Sequence, residues 1–300
     1  MIDIMLIFLI YGDDYVMILL SFIDVLKAIL FGIIEGITEW LPISSTGHMI
    51  LLEEWLNAEG ILGAEFWKLF LVVIQLGAIL AVIICFFSKL WPFSKTKTKE
   101  EKISTWILWR NVVIACLPAA VIGLLLDDWF DEHFYNFITV AIMLILYGVL
   151  FIVIELFNKK RDFKFKDCKD ITWKTALIIG IVQLLSLVPG TSRSGVTILG
   201  AMLIGFDRST SAEFSFFLSI PVMVGASLFK GAKYFIEGNS VTGAQVAFLG
   251  IGSIVAFLVS MFIIKFLMKY IKKHDFKVFG IYRIVLGVVL IIYYICRHVI

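Results

Sequence analysis

The feature that most limits what this chain can fold into is the recurrence of apolar stretches as long as a bilayer is thick. They run from about Phe66 to Phe87, Thr105 to Leu126, Phe137 to Phe157, Glu213 to Ala232, Gly243 to Lys269 and Val278 to Cys296. As a helix of about 20 residues, each can cross the roughly 30 Å of a hydrocarbon core. Six membrane-spanning helices are therefore expected. Composition agrees: 61% of the 300 residues are hydrophobic and 17% charged, and the mean hydropathy is +0.99. A soluble chain of this length could not hide that much apolar surface, so much of it faces lipid. Cys85, Cys116, Cys168 and Cys296 show no paired spacing, which suggests neither a disulfide framework nor a zinc site.

Charge in the connections sets orientation. Lys89, Lys95, Lys97, Lys99 and Lys102 fill one loop. Lys159, Lys160, Arg161, Lys164, Lys166, Lys169 and Lys174 fill another, and Lys269, Lys272, Lys273 and Lys277 a third. The positive-inside rule makes all three cytoplasmic. The acidic connection with Asp127, Asp128, Asp131 and Glu132 falls outside, as do the segments before Phe66 and after Cys296. At the amino terminus, Met1 to Ile10 lacks the basic flank and cleavage site of a signal peptide. Tyr11 to Tyr15 interrupts it, so Met17 is expected to be the true start and residues 1–16 a non-native or disordered extension.

Two further regions, Val16 to Leu56 and Trp173 to Gly205, are apolar but broken by Pro, Gly, Ser and Thr. Each is expected to enter and leave the membrane on one side, the first from outside and the second from inside. Pro42-Ile-Ser-Ser-Thr-Gly47 resembles Pro189-Gly-Thr-Ser-Arg-Ser-Gly195, and Glu65-Phe66 follows the first as Glu213-Phe214 follows the second. The fold class expected is an all-α polytopic membrane protein. One membrane domain holds six transmembrane helices plus two re-entrant helical hairpins in an inverted-topology repeat, residues 17–157 and 173–297. Such repeats place sites near the bilayer midplane.

Irregular backbone at membrane depth is tolerated only when buried in protein or lining a wet cavity, so both breaks point to a polar pocket. In the first, Glu35 and Glu39 are four apart and share a helix face. Two bare carboxylates there would be costly, and one would hold a proton unless an arginine or a divalent cation relieved it. Mg2+ or Ca2+ suits carboxylate and phosphate oxygens together. Ser44, Ser45 and Thr46 are candidate phosphate donors. Ser45 is also a candidate nucleophile, with Glu39 or His48 as base, while Ser44 reads better as a helix cap. His48 is a candidate acid, base or ligand.

In the second break, Gly190 and Gly195 allow a sharp turn and close approach to a ligand. A helix starting near Ser194 would offer free N–H groups to an anion, and Arg193 offers a two-pronged fork for phosphate. An arginine near the bilayer centre costs at least about 2.5 kcal/mol, so it needs Glu35, Glu39 or an anionic substrate. Gln75 and Gln183 are expected to line the pocket or bridge helices. Arg110, Glu155 and Arg283 read as anchors near span ends, Glu213 as a paired core residue, and Asp207-Arg208 as a solvated turn.

The stretches Glu35-Gly-Ile-Thr-Glu39-Trp-Leu-Pro-Ile-Ser-Ser-Thr-Gly-His48 and Pro189-Gly-Thr-Ser-Arg-Ser-Gly-Val-Thr197 resemble the two signatures of the bacterial undecaprenyl-diphosphate phosphatases, the bacitracin-resistance family. Val73 to Val82, Ser211 to Leu218 and Pro221 look like it too, so the likeness spans the chain from about Met17. The resemblance implies hydrolysis of undecaprenyl diphosphate to undecaprenyl phosphate and inorganic phosphate, recycling the carrier lipid of cell-wall synthesis. It implies a bacterial inner membrane, an outward-facing site, a divalent-cation requirement and bacitracin resistance, the drug competing for the substrate. Carried onto this chain, the family's functional positions fall on Glu35, Glu39, Ser45, His48, Ser192, Arg193 and Thr197.

The expected assignment gives catalysis to Glu35, Glu39, Ser45, His48 and Arg193. Substrate binding goes to Thr46, Ser192, Arg193, Ser194 and Thr197, and a cation to Glu35 and Glu39. Attack by Ser45 and by metal-activated water both stay open. The bilayer and the lipid are the expected partners, with no nucleic acid; a homodimer is left open. The alternative is a transporter or flippase for a phosphorylated polyprenyl lipid, since an inverted repeat is transporter architecture. A phosphatidic-acid-type phosphatase would want a second histidine after Arg193, and the first is His274 in a cytoplasmic loop.

Overall fold

The computed structural model describes residues 5–8, 18–159 and 161–298; the expected start at Met17 lies outside them. A short antiparallel pair, β1 (Met5–Phe8) and β2 (Ile18–Ser21), comes first, with Met5 opposite Ser21. All other named elements are helical. The first broken region is α1 (Phe22–Thr38) and α2 (Ser45–Leu56), followed by the short α3 (Ala58–Leu62). Next come α4 (Ala64–Val73) and α5 (Gln75–Cys85), which join into one span at Ile74, and the short α6 (Phe87–Leu90). The chain continues through α7 (Lys99–Phe134) and α8 (Phe137–Asn158). The second broken region is α9 (Trp173–Gln183), a 3-10 turn (Leu184–Leu187) and α10 (Arg193–Ile204). Three long helices close it: α11 (Arg208–Ile236), α12 (Gly243–Tyr270) and α13 (Lys277–His298).

Among the described residues, six helices are long and apolar enough to cross a membrane: Ala64–Cys85, Lys99–Leu126, Phe137–Asn158, Arg208–Ile236, Gly243–Tyr270 and Lys277–Arg297. They coincide with the expected spans. Polar caps explain several helix starts: Asn136 accepts from Thr139 N, Asp207 from Thr210 N, and Thr242 forms a reciprocal pair with Gln245. In Lys99–Leu126 only 22% of the apolar window is buried in protein. Leu117, Val121, Leu124 and Leu125 point outward, which suits lipid and not water.

The packing is reciprocal. α1 lies on α12 and α9 on α7, while α8 and α13 pack on each other. Small residues allow the approach. A Cβ on Gly32 would stand 2.5 Å from the Gly252 carbonyl oxygen, and one on Gly180 2.4 Å from that of Ala115. Gly148 and Gly280 face each other's carbonyl oxygens in the same way, each 2.7 Å from the Cβ the other would carry.

Three charged residues depart from expectation. Glu155 is buried, accepts Arg208 Nη2 at 2.6 Å and Nε at 2.8 Å, and accepts Phe276 N at 2.9 Å. Arg208 is therefore a paired residue and not part of a solvated turn. Arg283 is no interfacial anchor either, being 0% exposed. In each case a partner distant in sequence supplies what water would. Glu213 does pair, as expected: Lys89 Nζ donates to both its oxygens at 2.7 Å.

Candidate active site

α1 starts where Ser21 and Asp24 cap it reciprocally; it carries Glu35 into the interior, and Glu39, buried too, follows one turn later as its C-cap. After Glu39 the chain passes through turns and resumes as α2 at Ser45. Ser44 makes the junction with φ of 73°, and its Oγ accepts from Gly47 N at 3.3 Å. The second break repeats this geometry. Ser192 has φ of 71°, its Oγ accepts from Gly195 N at 3.1 Å, and α10 begins at Arg193. Positive φ is uncommon and strained for a residue other than glycine; here a cap bond offsets the strain at both places. Ser44 is thus the cap it was expected to be.

The first residues of α2 and α10 converge on one carboxylate. Ser45 Oγ donates to Glu39 Oε2 at 2.7 Å, and Arg193 Nη2 donates to Glu39 Oε1 at 2.8 Å. Arg193 Nη1 donates to the Ser215 carbonyl at 2.7 Å, and Nε is buried without a partner. Glu39 and Ser215 thus engage the two terminal nitrogens of the guanidinium. Ser194 Oγ donates to the Glu39 carbonyl at 3.0 Å. Thr197 Oγ1 donates to the Arg193 carbonyl at 2.8 Å and lies 2.6 Å from Ser215 Oγ. Ser192 Oγ is 3.2 Å from Ser194 Oγ. Ser194 and Thr197 thus brace Glu39 and Arg193; like Glu39 and Arg193 themselves, the three hydroxyls are not among the residues that line the cavity described next.

A cavity of 610 Å3 opens beside the carboxylates. Glu35, Ser45, Thr46 and Gln75 line it, with Met49, Leu69 and Val72 as apolar wall and Asp128, Glu132, Lys233 and Glu237 among its polar groups. Asp128 and Lys233 form an ion pair. Glu35 is 1% exposed and its Oε1 has no hydrogen-bond partner, so a buried acceptor faces the cavity unspent. Gln75 lines the cavity as expected, whereas Gln183 is buried elsewhere with both amide atoms unpartnered.

His48 is not brought to Glu39 or Ser45 by any hydrogen bond. Its Nδ1 lies 2.8 Å from the Ser44 carbonyl and its Nε2 2.7 Å from Tyr282 Oη. A carbonyl can only accept, so Nδ1 carries the proton and Nε2 accepts from the phenol. Sequence reasoning missed Tyr282, Ser215 and above all Arg283, whose guanidinium touches carbonyls of both breaks. An ionisable side chain inside an apolar span was the available signal.

Residues 28–289 match the family described as "Bacitracin resistance protein BacA". An Enterococcus faecalis protein named undecaprenyl-diphosphatase is 58% identical over 274 residues, 91% of this chain and 99% of that one. Proteins of the same name from Streptococcus thermophilus (56% over 271 residues, 90% and 93%) and Lactiplantibacillus plantarum (52% over 276 residues, 92% and 100%) are also similar. The two breaks, the carboxylate they share and a match spanning most of the chain lead to one conclusion: this protein belongs to the bacitracin resistance family.

Proposed function

We propose that the chain removes the terminal phosphate of undecaprenyl diphosphate, leaving undecaprenyl phosphate and inorganic phosphate and so recycling a lipid carrier. The observation that carries this reading is the hydroxyl–carboxylate–guanidinium line that starts from Ser45 at the cavity wall: Ser45 on Glu39 at 2.7 Å and Glu39 on Arg193 at 2.8 Å. A hydroxyl nucleophile needs an adjacent base held by a third group, and Arg193 does the holding. Ser45 Oγ attacks the terminal phosphorus and passes its proton to Glu39 Oε2. The bond to the bridging oxygen breaks, and its electron pair leaves with undecaprenyl phosphate. Water then attacks the phosphoserine, inorganic phosphate departs, and the proton returns to Ser45 Oγ. The N-terminal end of α2, which starts at Ser45, would favour the anion there. Phosphoryl transfer is mostly positioning and charge stabilisation, which suits so small a set of side chains. His48 supports the Ser44 junction through its Nδ1 bond.

Glu35 and Glu39 are the residues that would hold a divalent cation, Mg2+ or Ca2+. The unspent, buried Glu35 Oε1 fits that role. Among the described residues no group of three or more His, Cys, Asp or Glu could hold a metal, so substrate oxygens and water would complete its shell. When bound, the cation neutralises charge between the carboxylates and the diphosphate.

The polar lining of the cavity includes Asp128 and Glu132 at the acidic end of α7. The positive-inside rule makes that end the outer side. The headgroup then enters from outside a bacterial inner membrane while the prenyl tail stays in lipid. There bacitracin competes for the same diphosphate. Matching serine junctions at φ of 73° and 71° and the reciprocal packing support two re-entrant hairpins in an inverted repeat.

The test is inorganic phosphate release from undecaprenyl diphosphate by the purified protein in detergent, where no two sides exist. Release that stops with chelator is expected. A lipid transporter would release none.

A further inference from the structure

Arg283 is fully buried in α13, inside a membrane span, and among the described residues no carboxylate pairs with it. Its partners are carbonyl oxygens. Nη1 donates to Pro42 at 3.2 Å in the first break. Nη2 donates to Gly190 at 2.8 Å and Thr191 at 3.0 Å in the second, and to Met143 of α8 at 3.3 Å. Nε donates to Leu144 at 3.4 Å, and the Tyr147 ring lies 5.6 Å from the guanidinium carbon. A Cβ on Gly195, in the first turn of α10, would stand 3.3 Å from Nη1.

Broken helices leave carbonyls without intrahelical donors, and at membrane depth little water is at hand to satisfy them. The C-terminal ends of the helices that run into the breaks also carry partial negative charge, which favours a cation. Arg283 answers both demands at both breaks. Its planar fork carries five N–H donors on three nitrogens and so spans acceptors set apart from one another; an ammonium offers three donors from a single nitrogen. The chain it holds leads straight to the reacting groups: Pro42 precedes Ser45 by three residues and Gly190 precedes Arg193 by three. Those two residues meet on Glu39 through bonds of 2.7 and 2.8 Å, which leave little slack.

We propose that Arg283 is a positioning residue that fixes the spacing of the two breaks, and through it the Ser45–Glu39–Arg193 geometry. It touches no substrate and lies outside the cavity lining. This rests on the phosphatase reading above.

The test compares full-length wild type with Arg283→Lys and Tyr147→Leu in the detergent phosphate-release assay, separating kcat from KM on monodisperse protein. Misplacement of reacting groups by about 1 Å costs on the order of a hundredfold. Arg283→Lys should therefore lose about a hundredfold in kcat with KM within about threefold. Combined with Arg193→Lys, the losses should fall well short of multiplying, because both act on one geometry. Tyr147→Leu keeps the guanidinium but removes the ring beside it, and should lower kcat by about threefold or more. It decides the question should Arg283→Lys not fold. A folded Arg283→Lys within about threefold of wild-type kcat, a loss confined to KM, or losses that multiply would overturn the proposal. An unchanged kcat in Tyr147→Leu would do the same. A wild type that releases no phosphate would instead remove the phosphatase reading.

Discussion

The two breaks share a backbone and differ in what they present. Each joins two helices through a serine at φ near 70°, capped onto a glycine three residues later. The first break sends Glu35, Ser45 and Thr46 into the cavity. The second turns Arg193, Ser194 and Thr197 back onto Glu39 and Ser215. Counting from the serine junctions sharpens the contrast. Glu35 lies nine residues before Ser44, and Gln183 lies nine before Ser192. Both are buried with unpartnered polar atoms, but one is a carboxylate and the other a neutral amide. Likewise Ser45 and Arg193 both follow the junction directly, and both bond Glu39 from opposite oxygens. One local fold serves twice, once to carry the reacting groups and once to hold them.

The largest effect should come from the carboxylate on which Ser45 and Arg193 meet. Glu39→Gln removes the proton acceptor of Ser45 and the anionic partner of Arg193. Phosphate release should fall by about a thousandfold or more while the protein remains monodisperse. Retention of more than about a tenth of the activity would detach the carboxylate from the chemistry.

Exchanging the matched pair tests whether the breaks are functionally unequal. Glu35→Gln should raise the Mg2+ or Ca2+ concentration needed for half-maximal activity by about tenfold or more. Gln183→Glu should leave that concentration unchanged and lower thermal stability, because it asks a buried, unpartnered site to hold a charge. Equal cation shifts in both variants would make the breaks equivalent and the assignment of Glu35 wrong.

The smallest effect belongs to the second junction. Ser192→Ala loses a cap worth about 1 kcal/mol. A lowered unfolding midpoint with kcat within about fivefold of wild type is expected. A collapse in kcat at unchanged stability would give Ser192 a direct role on substrate.

Much of this was legible in sequence, for identifiable reasons. The six spans follow from apolar runs whose length is set by the bilayer, and the breaks follow from Pro, Gly and Ser inside apolar context. The helical spacing of Glu35 and Glu39 brought both to the site, and Ser45 and Arg193 followed from their chemistry beside a break. What stayed hidden depends on distance along the chain or on backbone. Arg208 meets Glu155 across 53 positions and His48 meets Tyr282 across 234. Arg283 bonds only main-chain carbonyls, which have no residue type to read. Positive φ at Ser44 and Ser192 was unreadable too, because glycine is the residue that ordinarily marks it. The pairing of Arg193 with Glu39 was among the expected ones, whereas its bond to the Ser215 carbonyl is again to main chain, which has no residue type to read.

The most direct measurement sets Ser45→Ala beside Ser44→Ala in steady-state phosphate release from undecaprenyl diphosphate. Ser45 donates to the base at the cavity wall, while Ser44 only caps α2. Ser45→Ala should lose about a thousandfold or more in kcat, and Ser44→Ala should lose stability with kcat within about tenfold of wild type. Equal losses in the two, or a Ser45→Ala protein that turns over normally, would contradict the assignment of Ser45 as nucleophile.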